Sequence, residues 1–140
     1  MTMLWQSAGL EVVGEAECWS LLETQSLGRL AVAIRNHPDI FPINYLIDDE
    51  TVVFRTDPGI KLAAATAGES VAFEVDQYDP ETVQGWSVVV TGVAREMKKL
   101  EDMMRVEDLP LEPAAAGRKN RWVRIHPLSV TGRRLPPASS

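Results

Sequence analysis

The sequence predicts a mostly β protein, a six- or seven-stranded antiparallel barrel carrying two or three short helices. Three observations lead there. The apolar residues fall in short runs rich in Val, Ile, Phe and Trp, and several of these runs alternate with a period of two. Clusters of Asp, Asn, Gly and Pro separate the runs, so the connections are short turns. Helical spacing is confined to a few brief patches. Short strands joined by short turns bury their apolar faces well when the sheet closes on itself.

The 140 residues suit a single domain, residues 1–140, large enough for a real core. A net charge of −6 argues against nucleic acid as a partner, because a phosphate backbone needs a basic face. The single cysteine, Cys18, excludes an internal disulfide framework and a multi-cysteine metal site, and two histidines exclude a histidine-rich one. The chain has no apolar run of about 18 residues and no basic-then-apolar leader, so no membrane partner and a cytoplasmic location are expected.

Residues 1–14 show little periodicity and read as a candidate mobile end, as do residues 136–140. Glu15 to Gln25 reads as a helix with acids at its start and Cys18, Leu21 and Leu22 toward a core. Gly28 to Arg35 is a strand, Asn36 to Asp39 a turn, and Ile40 to Ile47 a second strand in which Pro42 implies an edge or bulge. A polar hairpin loop at Asp48–Glu50 leads into Thr51–Arg55. A helix from about Ile60 to Thr66 ends at Gly68. Ser70 to Tyr78 alternates strongly; Glu74 and Asp76 share its polar side and read as an ion-paired or solvated face. Gly85 to Arg95 is a long strand with a bulge expected at Gly92. Glu96 to Leu109 is expected as an amphipathic surface helix, and Asn120 to Pro127 as the last strand, with Leu128 to Leu135 extending it past a break at Pro127. Cys18 reads as a buried small hydrophobe rather than a reactive thiol.

The stretch with the most chemistry is Val52 to Leu62. A strand ends in Arg55 and Thr56, Asp57-Pro58-Gly59 turns the chain, and Lys61 falls in the first turn of the following helix. Two cations and a hydroxyl at a helix start can converge on one anion, and a phosphate is the natural candidate. The competing reading is two ordinary surface charges, since no glycine-rich phosphate loop is present.

The ordered set Gly28-Arg29-Leu30-Ala31-Val32, Pro42-Ile43-Asn44-Tyr45, Phe54 to Leu62, Val71 to Asp76 and Gly85 to Gly92 resembles the pyridoxamine 5'-phosphate oxidase-like family of flavin-binding split β-barrels. The resemblance covers roughly Glu15 to Met97 and continues more weakly from Trp122 to Leu135. It implies a homodimer binding FMN in clefts between the subunits, and a flavin-dependent oxidoreductase acting on a small molecule. It implies that Arg55, Thr56, Lys61 and Leu62, beside Phe54, lie around the FMN phosphate and ribityl chain. Pro42, Ile43, Asn44 and Tyr45, with Trp86, Ser87 and Val88, would lie near the flavin ring. Trp86 also reads as a core or interface aromatic. No catalytic side chain is assigned, because the flavin performs the chemistry. Two departures matter. The chain is shorter than the characterised oxidases and lacks recognisable pyridoxal-phosphate segments, and Gly132-Arg133-Arg134-Leu135-Pro136 is only a faint match to their C-terminal motif. An F420-dependent reductase and a non-catalytic flavin- or ligand-binding dimer are the alternatives.

Overall fold

A computed structural model describes residues 9–98 and 121–136, which carry seven antiparallel strands and two helices. In chain order these are β1 (Glu11–Val13), α1 (Glu15–Glu23), β2 (Leu27–Ile34), β3 (His37–Ile47), β4 (Val52–Thr56), α2 (Ile60–Ala65), β5 (Ser70–Asp79), β6 (Gln84–Glu96) and β7 (Arg121–Arg134). Neighbours run β7-β4-β3-β2-β5-β6, and β6 pairs back onto β7, so the sheet closes into a ring. β1 attaches to the end of β7, Val13 opposite Gly132. None of the described helices is long and apolar enough to cross a membrane.

Alternation fills the ring. On β5, Val71, Phe73 and Val75 are buried, and on β6 Val88 and Val90 are. Tyr45 and Phe73 meet edge to face, 4.8 Å between ring centres. Gly28 is required beside them: a Cβ there would lie 2.5 Å from the Phe73 ring. α1 seals the core with Cys18, Trp19 and Leu22, and the Tyr45 hydroxyl donates to the Leu22 carbonyl. Burial, helped by Glu17 and Glu15, pushes the Cys18 thiol up, in keeping with a packing role. A second cluster, Val53, Met97 and Trp122 with Leu46, is packed separately from the interior.

Several expectations are corrected. The β2–β3 turn is tighter than Asn36–Asp39. Arg35 and Asn36, with φ of 50° and 64°, make a two-residue turn, and His37 already pairs with Ile34. Pro127 does not break the last strand. The register slips between Thr91 and Gly92 as expected, but the extra residue, Leu128, stands on β7. Gly92 permits this closeness, because a Cβ there would lie 2.1 Å from the His126 carbonyl oxygen. The slip also changes the inward parity of β7, from Val123 and Ile125 before it to Gly132 after it. Glu96 ends β6 rather than starting a helix, and the Met97 N–H donates to the Trp122 carbonyl at 2.9 Å. The rest of that expected helix, residues 99–109, lies outside the described residues. At the termini, residues 1–8 and 137–140 lie outside them too. Within them Glu11–Val13 is paired, and Leu135 is buried with its N–H donating to the Gly85 carbonyl.

Candidate functional site

β4 delivers Phe54, Arg55 and Thr56 to the Asp57–Gly59 turn, and α2 follows with Lys61 in its first turn. Alternation sends Phe54 and Thr56 inward, where both are buried, and leaves Arg55 half-buried on the outer face. Arg55 lies opposite Trp122, its guanidinium carbon 5.0 Å from the ring centre. Stacking fixes the plane in which the guanidinium N–H groups point. Lys61 Nζ stands 5.4 Å from the centre of the Phe41 ring, which packs on the interior cluster. The two cations thus stand on either side of the Asp57–Gly59 turn in the chain, each against an aromatic ring. The Thr56 hydroxyl donates to the Asp57 carbonyl at 3.3 Å, and Leu62 is in the core.

On β3, Pro42 is exposed in a stretch paired only with β2, since β4 joins at Tyr45. This is the edge position its missing N–H suggested. Asn44 Nδ2 donates to the Ser26 carbonyl at 3.3 Å. Ile43, Tyr45, Phe54, Leu62 and Val88 all turn their side chains into the core, so a ligand would meet only their backbone. Burial pushes the Tyr45 hydroxyl up and keeps it a donor. Pairing brings Tyr45 against Phe54, and Lys61 reaches Phe41, so the β3, β4 and α2 candidates form one group. Trp86, Ser87 and Val88 lie on β6, which is not paired with β3 or β4 but shares the interior cluster with Tyr45, Phe54 and Leu62 and is touched by α2. Trp86 is half-buried beside a depression of about 270 Å³ that it shares with Arg134 and Leu135.

A larger cleft, about 400 Å³, opens on the outer face of β5, β6 and β7, lined by Leu10, Glu74, Asp76, Tyr78, Ser87 and Arg133. Arg29 Nη1 reaches Glu74 Oε1 at 3.2 Å and Asp76 Oδ2 at 3.6 Å, so the face expected to be ion-paired is so. Burial, then the hydrogen bond and charge of Asp76, push the Glu74 carboxyl up to about 7 against the opposing pull of Arg29. Arg133 enters the cleft, whereas Arg134 pairs with Glu17. The sequence marks each of these residues separately but gives no register to assemble them; only the pairing of Asp76 with Ser87, and of Ser87 with Arg133, does so. No group of three His, Cys, Asp or Glu side chains among the described residues could hold a metal ion.

The family model described as pyridoxamine 5'-phosphate oxidase matches residues 14–134. The chain belongs to this family. Solved structures agree with the match. An FAD binding protein from Mycobacterium smegmatis is 40% identical, with a TM-score of 0.77 over 89% of this chain and 97% of that one. An FAD-binding protein from Mesorhizobium loti is 26% identical, with a TM-score of 0.76 over 93% of this chain and 99% of that one. An uncharacterized protein of Mycobacterium tuberculosis is 37% identical over 124 residues, 85% of this chain and 81% of its own. The pyridoxamine 5'-phosphate oxidase family thus accounts for the ring of strands, and flavin-binding proteins are among the structures this chain resembles.

Proposed function

We propose that this protein is a flavin-dependent oxidoreductase that holds a flavin nucleotide through its phosphate and works as a homodimer. The observation that carries the reading is the pair of cations, Arg55 and Lys61, flanking the Asp57–Gly59 turn, on a chain 40% identical to an FAD binding protein. A stacked arginine offers a forked pair of donors and a lysine a point charge, the two modes by which proteins hold a phosphate. α2 is only six residues long, so its dipole contributes little and the side chains carry the site. Thr56 fixes the turn, and Pro42 and Asn44 present the exposed side of β3 to the ring.

Within one copy β6 is not paired with β3 or β4, so the outer side of Trp86–Ser87 and the outer side of β3 and β4 lie on different parts of the ring, although α2 touches β6. A second copy offers a way to supply the other wall, which motivates the dimer. Once bound, the flavin supplies hydride or electron transfer, and the chain's own residues orient it and limit water. FMN carries the phosphate this reading needs; FAD carries it too, and the two FAD-binding relatives favour trying both.

The experiment is a titration of flavin-free protein with FMN, FAD and riboflavin, for wild type, Arg55→Ala and Lys61→Ala. A charge-assisted hydrogen bond is worth about 1.5–3 kcal/mol, so Arg55→Ala is expected to weaken FMN by roughly ten- to a hundredfold. Riboflavin, without a phosphate, is expected to bind wild type and variants equally poorly. Equal FMN affinity in all three proteins would move the phosphate elsewhere. Binding of none of the flavins would sink the cofactor reading, and turnover of the loaded protein with a nicotinamide donor separates an enzyme from a binder.

A further inference from the structure

Across the outer face of the barrel, Asp76, Ser87 and Arg133 stand in one row, set by the pairing of Asp76 with Ser87 and of Ser87 with Arg133. Adjacent strands lie about 4.8 Å apart, so two strand spacings place Asp76 and Arg133 about 10 Å apart along the backbone. That separation keeps the two charges from neutralising each other. Among the described residues Arg133 makes no salt bridge; its Nη1 donates at 3.1 Å to the carbonyl of Gly132. At the other end two carboxylates, Glu74 and Asp76, share the single guanidinium of Arg29, which is 53% exposed. Between the poles lie the Ser87 hydroxyl and the walls of Tyr78 and Leu10, enclosing about 400 Å³, within the range of small-molecule pockets.

When all are ionised, the charges of Glu74, Asp76, Arg29 and Arg133 sum to zero. A simple anion is attracted at one pole and repelled at the other, and so is a simple cation. A molecule carrying both charges gains at each end. We propose that this cleft is a binding site for a small zwitterion, its anionic group on Arg133 and its cationic nitrogen against Glu74 and Asp76. The raised Glu74 value agrees with this, since the carboxylates of a crowded acidic pole gain from a cation, whether a proton or a ligand's nitrogen. The acidic pole repels a phosphate, so the inference does not rest on the flavin reading, although Ser87 borders both proposed sites.

The test uses isotope-labelled protein above the Glu74 value of about 7, titrated with 4-aminobutyrate, butyrate and butylamine, with amide shifts followed at Glu74, Ser87 and Arg133. Saturable shifts with 4-aminobutyrate are expected, at least about tenfold tighter than with either single-charge analogue. Arg133→Gln and Asp76→Asn, both on the outer face, are each expected to remove most of this binding while the rest of the spectrum stays in place. Equal binding of butyrate or butylamine, absence of shifts with 4-aminobutyrate, or unchanged binding in either variant would overturn the proposal. Repeating the titration with FMN present separates the two sites. Retained binding supports a distinct cleft. Displacement by FMN would assign the cleft to the flavin, overturning this inference and leaving the flavin reading intact.

Discussion

Glu74 ionises near 7 in the folded protein against an ordinary value of 4.5, because burial and Asp76 outweigh Arg29. The folded state therefore binds more protons than the unfolded chain between these values, so stability falls as pH rises from 4.5 toward 7 and levels off above. Urea midpoints measured across that range are expected to show this slope in wild type and to lose it in Glu74→Gln; an unchanged slope in the variant would assign it to another group. Gly92 is a sharper case. A methyl group there meets backbone, the His126 carbonyl oxygen at 2.1 Å, which cannot swing away as a side chain can. Gly92→Ala is expected to cost the upper part of the roughly 1–3 kcal/mol typical of overpacking, read as a lowered denaturation midpoint. Wild-type stability in that variant would mean the bulge relaxes freely.

Among the elements, the β3–β4 hairpin is fastened to β7 by charge as well as by pairing. Arg124 Nη1 donates to Asp48 Oδ2 at 3.0 Å and to Thr51 Oγ1 at 2.6 Å, and both charged side chains are about nine-tenths covered. Removing one member of a buried pair leaves the other uncompensated. Asp48→Ala is expected to cost about 3–5 kcal/mol, and Asp48→Ala with Arg124→Met less than the sum of the single changes. Strict additivity in that double-mutant cycle would show the pair to be uncoupled. The sequence signalled these elements unevenly. β5 and β6 were legible because Val71, Phe73 and Val75, then Val88 and Val90, alternate cleanly. β1 was not, since Glu11–Val13 owes its strand to Gly132–Arg134 at the far end of the chain. Pro127 was misread because a proline's missing donor looks like a stop until a bulge opposite Gly92 absorbs it. At the site, residue chemistry pointed to Arg55 and Lys61, but the faces they occupy follow from strand parity and neighbours that no local pattern encodes.

For the whole molecule, ring closure changes the argument for a dimer. β6 offers no open edge, since both its sides are paired, to β5 and β7. What remains is a face. Ile40, Ala31, Ala72, Thr91 and Ser129 form one outward row across β3, β2, β5, β6 and β7, with no charge in it. Ile40 is 66% exposed and Leu128, beside the row's end, 71%. Such an uncharged stripe suits an isologous two-fold contact. Light scattering is expected to give twice the chain mass for wild type and a monomer for Ala72→Lys; a wild-type monomer at micromolar concentration would sink the assembly. The same ring has a consequence for how the chain acquires its shape. β7, the last of the described strands in chain order, is the one that closes the ring, pairing with β4 and β6 as well as with β1. Until residues 121–134 leave the ribosome, β4 and β6 each lack the strand that will cover one side, and the nascent sheet presents open rims to other chains. Closure joins segments far apart in sequence, which slows folding toward the millisecond-to-second range of non-local β topologies. Pairing of β7 on both its sides is therefore the step at which protection from misassembly begins.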